Sequence, residues 1–263
     1  MTPTATIGTR NRLPDRRGLA PQPVSGDVMR PVLLDLFCGA GGCAVGYHRA
    51  GFAVIGVDHK PQPRYPYPFI EADAMDFLRG LTAGASICGY YLADFAAIHA
   101  SPPCQRYTIA RHMPGAKGDA NPDLVPTVQE LLVVSGKPWV IENVEGAPLN
   151  PAIMVCGLAL GVAVKRHRLF ASNRFLFGTS CPPGHRDDFV SIWGHDILHR
   201  RDGKRWVSVH GGGASTKDGR RRATVQQARV AMGIDWMNRN ELSQAIPPAY
   251  TEFVGKQLMR FLE

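Results

Sequence analysis

The sequence predicts an α/β fold, a mostly parallel sheet with helices on both faces. Three observations carry this reading. Short apolar runs at residues 31–37, 52–57, 95–100 and 138–141 each end in a glycine, acidic or otherwise polar residue, the pattern of buried strands. Helical patterns separate these runs, as in consecutive β–α–β units. The first two runs flank a glycine-rich turn, Cys38-Gly39-Ala40-Gly41-Gly42, which makes the strand–turn–helix opening typical of nucleotide-binding α/β units.

Composition sets the outer limits. A chain of 263 residues, 44% hydrophobic and 20% charged, can bury one full α/β domain with a small insertion. No apolar run reaches the length needed to span a bilayer, so no membrane partner is expected. The amino terminus shows no signal-peptide pattern, and the six cysteines are scattered, without a disulfide framework. A reducing, cytoplasmic setting is therefore expected. A net charge of +8 and a pI near 9.4 favour a polyanionic partner such as nucleic acid.

Residues 1–30 are rich in Pro, Thr, Gly and Arg without periodicity and read as a disordered basic arm. The strand at 31–37 runs through the glycine turn into a helix ending near Ala50. The strand at 52–57 ends in Asp58. An acid there either accepts hydrogen bonds from ribose hydroxyls or caps a helix. Residues 59–68 are proline-rich and read as a loop, followed by a short strand at 69–70. Asp73 either meets an adenine amino group or caps the helix at 74–79. Residues 80–94 read as a loop.

The stretch Ser101-Pro102-Pro103-Cys104-Gln105 ends the strand at 95–100. Pro102 offers no backbone N–H, and a residue before proline avoids the helical region. Cys104 is thus held on a stiff loop at a carboxyl strand end, the edge where open α/β sheets bind ligands. It is either a nucleophile or a small buried hydrophobe. A polar, basic loop follows to Asp123, then a helix at 124–135. The strand at 138–141 ends in Glu142, on the rim expected to carry Cys104. Residues 152–160 suggest a short helix. In residues 165–170 the alternation sets Arg166 and Arg168 on one face and His167 on the other. Two guanidinium groups on one face either orient an anion or carbonyl or form a solvated charge run.

Asp35-Leu-Phe-Cys-Gly-Ala-Gly-Gly42, Pro102-Pro-Cys-Gln105, Glu142-Asn-Val144 and Arg166-x-Arg168, in this order and each at an expected strand end, resemble the motifs of the DNA cytosine-5 methyltransferases. Residues 224–235 resemble that family's penultimate motif, and Ser243-Gln-Ala-Ile-Pro-Pro248 its last. Departures are Val164 where the family has Gln, Arg229 out of register, and Ser243-Gln244 in place of Gly-Asn.

The resemblance implies a Rossmann-like S-adenosylmethionine-dependent methyltransferase sheet at 31–170, completed by 224–263, with a small target-recognition region inserted at 171–223. It implies Cys104 as the nucleophile at C6 of cytosine, Glu142 holding the base, and Arg166 and Arg168 fixing its carbonyl and favouring the thiolate. S-adenosylmethionine would lie along Asp35, Phe37, Cys38, Gly39, Gly41 and Gly42, with its ribose at Asp58, its adenine near Asp73, and Pro102 and Gln244 closing the site. The base would be flipped from double-stranded DNA by a monomeric enzyme of the stand-alone phage or restriction-modification type.

Three readings stand side by side: this one, the same chemistry on RNA or with a modified donor, and an inactive DNA-binding protein of the same fold. The insertion carries Arg186, Arg200, Arg201, Lys204, Arg205, a glycine run at 211–213 and a basic run at 217–222, suited to phosphate contact. Trp193 and Trp206 are either core residues or fillers of a gap left by a flipped base. Cys181 with His185, His195, His199 and His210 lacks paired ligand spacing, and no metal site is expected. The last helical pattern, 249–262, is expected to dock beside the first strand.

Overall fold

A computed structural model of the chain describes residues 30–108, 120–164, 166–181, 199–201, 204–206 and 224–262. The amino-terminal arm, Arg111, Lys117, Arg186, Trp193, His185, His195, His210 and the glycine and basic runs at 211–213 and 217–222 lie outside the described residues, as do the side chains of 199–206.

Seven strands form one sheet in the order β3-β2-β1-β4-β5-β7-β6. Strands β1 (Val32–Leu36), β2 (Ala53–Asp58), β3 (Phe69–Glu71), β4 (Ala97–Ala100) and β5 (Trp139–Asn143) run parallel. Strand β7 (His167–Ser172) is antiparallel to both β5 and β6 (Ile153–Cys156). The chain order reverses between β1 and β4, so the carboxyl ends of those strands flank the crevice where open α/β sheets take ligands. The glycine turn leaves one and the Cys104 loop leaves the other.

Adjacent residues in the strands serve opposite cores, which is why the strands read as unbroken apolar runs. Leu33, Ala97, Val140 and Phe170 face one core, shared with α1 (Gly42–Arg49), α4 (Val225–Met232), α5 (Arg239–Gln244) and α6 (Pro248–Met259). Leu34, Ile98, Ile141 and Ala171 face the other, shared with α2 (Ala74–Thr82) and α3 (Val125–Val134). Helix α6 packs chiefly on α1, across Tyr47, Tyr250 and Val254, rather than beside β1. Gly46 and Gly255 let the two helices close, because a Cβ on Gly46 would meet Thr251 Oγ1 at 2.0 Å.

The helix expected at 152–160 is instead strand β6 followed by a single 3-10 turn at Leu158–Leu160. Ile153 and Val155 are β-branched and favour the pleated surface, and β7 offers an open edge for pairing. Helix α2 runs on to Thr82, past the expected end at residue 79. Strands β8 (His199–Arg201) and β9 (Lys204–Trp206) form a separate hairpin within the insertion. Among the described residues no helix is long and apolar enough to cross a membrane.

Candidate active site

Cys104 stands on the loop leaving β4, and the loop is anchored from two sides. The Asn143 side chain at the end of β5 donates to the Pro102 carbonyl at 2.9 Å. On the far side, Gly146 sits directly under the chain at Tyr107, where a Cβ would meet the Tyr107 carbonyl oxygen at 2.6 Å. The Tyr107 hydroxyl bonds Asp123, and Arg106 donates to the Asn121 carbonyl at 3.1 Å. The loop is fixed by bonds between segments distant in sequence, a stiffness beyond what its prolines supply.

Glu142 is buried at 4% exposure and accepts from Arg168 Nε at 3.0 Å. The register explains the pairing. Glu142 lies opposite Phe170, and Arg168 is two residues along on the same face, within diagonal reach. Burial raises the Glu142 carboxyl above the usual range, while Arg168, Ser101 and Arg166 pull it down. Arg166 is partly buried. Its Nη1 donates to the Ala245 carbonyl at 2.8 Å, and the Tyr250 hydroxyl donates to its carbonyl at 2.7 Å. Burial, with Arg168 adding repulsion, brings the Arg166 guanidinium down to about 10.

These groups share one electrostatic neighbourhood with Cys104. Burial raises the thiol, and Glu142 raises it further; Arg168 and Arg166 pull it down without prevailing. The two arginines thus act in the direction that the family resemblance implies, but desolvation wins and the resting group is a thiol.

Ser101, between the β4 end and Pro102, hydrogen-bonds Glu142. It also meets His99 Nε2 at 2.8 Å, and His99 Nδ1 meets the Tyr47 hydroxyl at 3.0 Å. Burial lowers His99 to about 3, so the ring is neutral. A single proton arrangement serves every bond: Tyr47 O–H to Nδ1, Nε2–H to Ser101 Oγ, and Ser101 O–H to the Glu142 carboxylate.

The glycine turn forms the other half of the site, and each residue in it has a different neighbour. Phe37 and Gly39 adopt left-handed backbone, with φ of 58° and 49°. Gly39 faces open space, and its N–H donates to Asp58 Oδ2 at 3.0 Å. Gly41 lies against Pro66 and Tyr65, and Gly42 against Ile246, whose carbonyl oxygen a Cβ would meet at 2.3 Å. The last two glycines therefore serve the protein's own packing. The Cys38 side chain is buried and turned to the Gly39 carbonyl at 3.6 Å.

Asp58 begins no helix. Its Oδ1 accepts from Lys60 N–H at 3.1 Å and stands 3.2 Å from His59 Nδ1, which leaves acceptor capacity on a largely buried carboxylate. Asp73 caps α2, with Oδ1 accepting from Met75 and Asp76 N–H, and lies exposed. Asp35 is wholly buried. The Tyr65 hydroxyl donates to its Oδ2 at 3.3 Å, while its Oδ1 has no hydrogen-bond partner among the described residues. Burial, opposed by the Tyr65 bond, raises Asp35 to about 8. Gln244 is exposed at the end of α5, but the Ala245 and Ile246 that follow it span from Arg166 to Gly42. Arg229 donates to the Met237 carbonyl at 2.9 Å, an internal clasp. Trp236 Nε1 reaches across to the Ala40 carbonyl at 2.8 Å.

Sequence reasoning did not assign Tyr65, Ser101, Asn143, Trp236 or Tyr250. His99, a polar residue inside an apolar strand, was the available signal for the chain through Ser101. The others depend on contacts between distant segments.

The Dnmt2 methyltransferase of S. pombe is 14% identical and superposes with a TM-score of 0.54, covering 89% of this chain and 99% of that one. The Entamoeba histolytica methyltransferase EhMeth is 12% identical with a TM-score of 0.53, over 89% and 99%. This chain has a methyltransferase fold. A prophage-encoded E. coli protein described as a DNA modification methyltransferase is 14% identical with a TM-score of 0.51, over 88% and 99%. No protein-family model matches the chain, and no curated protein matches it in sequence.

Within that fold, the residues around the crevice suit S-adenosylmethionine. The buried, unpartnered Asp35 oxygen, the open space beside Gly39 and the spare acceptor capacity of Asp58 offer a donor-bearing, ribose-containing ligand what it needs.

Proposed function

We propose that the protein methylates C5 of cytosine in double-stranded DNA, with Cys104 as the nucleophile. The observation that carries this reading is the convergence of Cys104, Glu142, Arg166 and Arg168 in one partly buried electrostatic neighbourhood beside the glycine turn. A thiol, a carboxyl raised by burial and two guanidinium groups suit addition across the C5–C6 bond of a pyrimidine. C5 of cytosine is too weak a nucleophile for direct alkylation.

The Cys104 thiolate adds to C6 and makes C5 enamine-like. Glu142, its carboxyl raised by burial, holds a proton at N3 as the ring gains electron density. Arg166 and Arg168 face the base carbonyl and stabilise the negative charge that builds there. S-adenosylmethionine, when bound, supplies an electrophilic methyl group on a sulfonium. Asp35, Gly39 and Asp58 would hold it. Loss of the C5 proton then expels the Cys104 thiolate and restores the aromatic ring. A duplex buries C6 within its stack, so the base must leave the helix first. The chain's net charge of +8 would serve contacts to backbone phosphates.

Incubation with duplex DNA carrying 5-fluorocytosine and S-adenosylmethionine tests this directly, because fluorine at C5 blocks the final elimination. A covalent complex that disappears in Cys104→Ala is the expected result. No adduct on DNA, or an adduct that persists in Cys104→Ala, overturns the reading. An adduct with RNA alone moves the substrate to RNA and overturns the DNA assignment. Bisulfite sequencing of DNA from expressing cells then maps the target.

A further inference from the structure

We infer that Cys156, His167 and Cys181 form a zinc(II) site that fastens the chain leaving β7 to the edge of the sheet. Their ligand atoms all lie within 4.8 Å of one another, and Cys181 Sγ is 3.2 Å from His167 Nε2. Around tetrahedral zinc, sulfur and nitrogen donors stand about 3.5 Å apart, from bond lengths of about 2.3 and 2.0 Å. Only a small adjustment separates the observed cluster from that geometry.

The fold itself builds the cluster. Cys156 and His167 are direct cross-strand partners in the antiparallel β6–β7 pair, so both side chains project from the same face. The strand's alternation places that face opposite the one bearing Arg166 and Arg168. Cys181 arrives from the segment after β7, which runs back along β6. Thr179 N–H donates to the Met154 carbonyl at 3.0 Å, and Cys156 N–H donates to Thr179 Oγ1 at 2.7 Å. Gly178 permits this approach, since a Cβ there would meet the Met154 carbonyl oxygen at 2.6 Å.

A second, independent feature points to a metal. His167 Nδ1 lies 3.1 Å from Glu145 Oε1, which fixes the ring and its tautomer so that Nε2 is the atom turned to the thiols. A carboxylate behind a histidine whose other nitrogen faces two thiols is the usual outer support of a bound zinc ion. Two thiolates and an imidazole select a borderline-soft ion over magnesium or calcium. Water would supply the fourth donor, since the Cys181 and His167 side chains are only partly buried. The three ligands come from β6, β7 and the segment beyond it, which hid the site from any reading based on paired Cys/His spacing.

The bound ion would brace the strand whose other face carries the two arginines, and would fix the point from which the 182–223 segment departs. This inference does not depend on the cytosine chemistry and has its own test. The full-length protein, purified untagged and under reducing conditions, is assayed by plasma mass spectrometry and by titration with cobalt(II). One zinc per chain is expected, with a thiolate-to-cobalt charge-transfer band that zinc abolishes. Cys156→Ser and Cys181→Ser should each lose the band. Glu145→Gln, which removes no ligand, should weaken zinc binding about tenfold while the band remains. Wild-type protein that neither carries zinc nor gives the cobalt band overturns the proposal, as does a Cys156–Cys181 disulfide found in protein handled under reducing conditions. An unchanged zinc affinity in Glu145→Gln removes the outer-support argument and overturns the assigned geometry.

Discussion

The side-chain amide of Asn143 donates to the carbonyl of Pro102 at 2.9 Å, tying the end of β5 to the loop that carries Cys104. The same side chain accepts from the Val144 N–H at 2.9 Å. One buried carboxamide thus couples the position of Glu142, the residue before it, to that of Cys104.

Replacing Asn143 with Ala strands a buried carbonyl and frees the loop. The expected loss is about 1–3 kcal/mol of stability, read by urea unfolding. If Cys104 is the nucleophile, kcat should fall about a hundredfold, because the sulfur is no longer aimed. Affinity for S-adenosylmethionine, measured by calorimetry, should stay within about twofold. A full stability loss with unchanged kcat would show that the bond holds structure alone.

Cys104 should behave as a thiol with a raised pKa, since burial and Glu142 outweigh the two arginines. Its alkylation by iodoacetamide, followed peptide by peptide in a mass spectrometer, should still be rising above about pH 9. Glu142→Gln should shift that curve to lower pH by removing a neighbouring negative charge. Arg168→Met should shift it upward. A curve that levels off below about pH 8 would contradict the balance described here.

The Glu142–Arg168 pair is buried, and its two halves are unequal in their consequences. Arg168→Met leaves a carboxylate without its cation, a change that costs roughly 3–5 kcal/mol for buried pairs. The Glu142 carboxyl, already raised by burial, would then rise further. A group raised in this way contributes its stability below the unfolded pKa and loses it as pH climbs through the folded value. The Arg168→Met penalty should therefore shrink as pH is lowered toward about 4, and Glu142→Gln/Arg168→Met should be more stable than Arg168→Met at pH 8. Chemical denaturation across pH would settle both points.

Strands β1, β2, β4 and β5 were legible because both of their faces are buried, which leaves continuous apolar runs such as Val32–Leu36. Strand β6 was not. Ile153-Met-Val-Cys is short and apolar, a pattern that fits a helix or a strand equally well, and only the open edge of β7 decides it. In the site, Cys104, Glu142 and Arg168 were visible as polar groups at the ends of apolar runs. What they lean on was hidden. Tyr65 meets Asp35 from thirty residues away, and Trp236 meets Ala40 across 196. Gly41 and Gly42 stood out as glycines, yet the space they leave is filled by Pro66, Tyr65 and Ile246, which no local pattern announces.

Asp35 supplies the last prediction. Its carboxyl is wholly buried, bonded only to Tyr65 among the described residues, and raised to about 8. The unfolded chain ionises this group near 4, so between about pH 4 and pH 8 the unfolded state holds fewer protons and gains on the folded one as pH rises. Stability from this residue is therefore complete below about pH 4 and is lost progressively as the pH climbs to about 8. Asp35→Asn keeps an acceptor for the Tyr65 hydroxyl and removes the titration. The variant should gain stability relative to wild type as pH rises, on the order of 4 kcal/mol between pH 5 and pH 9, measured by urea unfolding at each pH. Parallel curves for the two proteins would mean that Asp35 keeps an ordinary carboxylate pKa in the fold, with water or a counter-charge reaching its second oxygen.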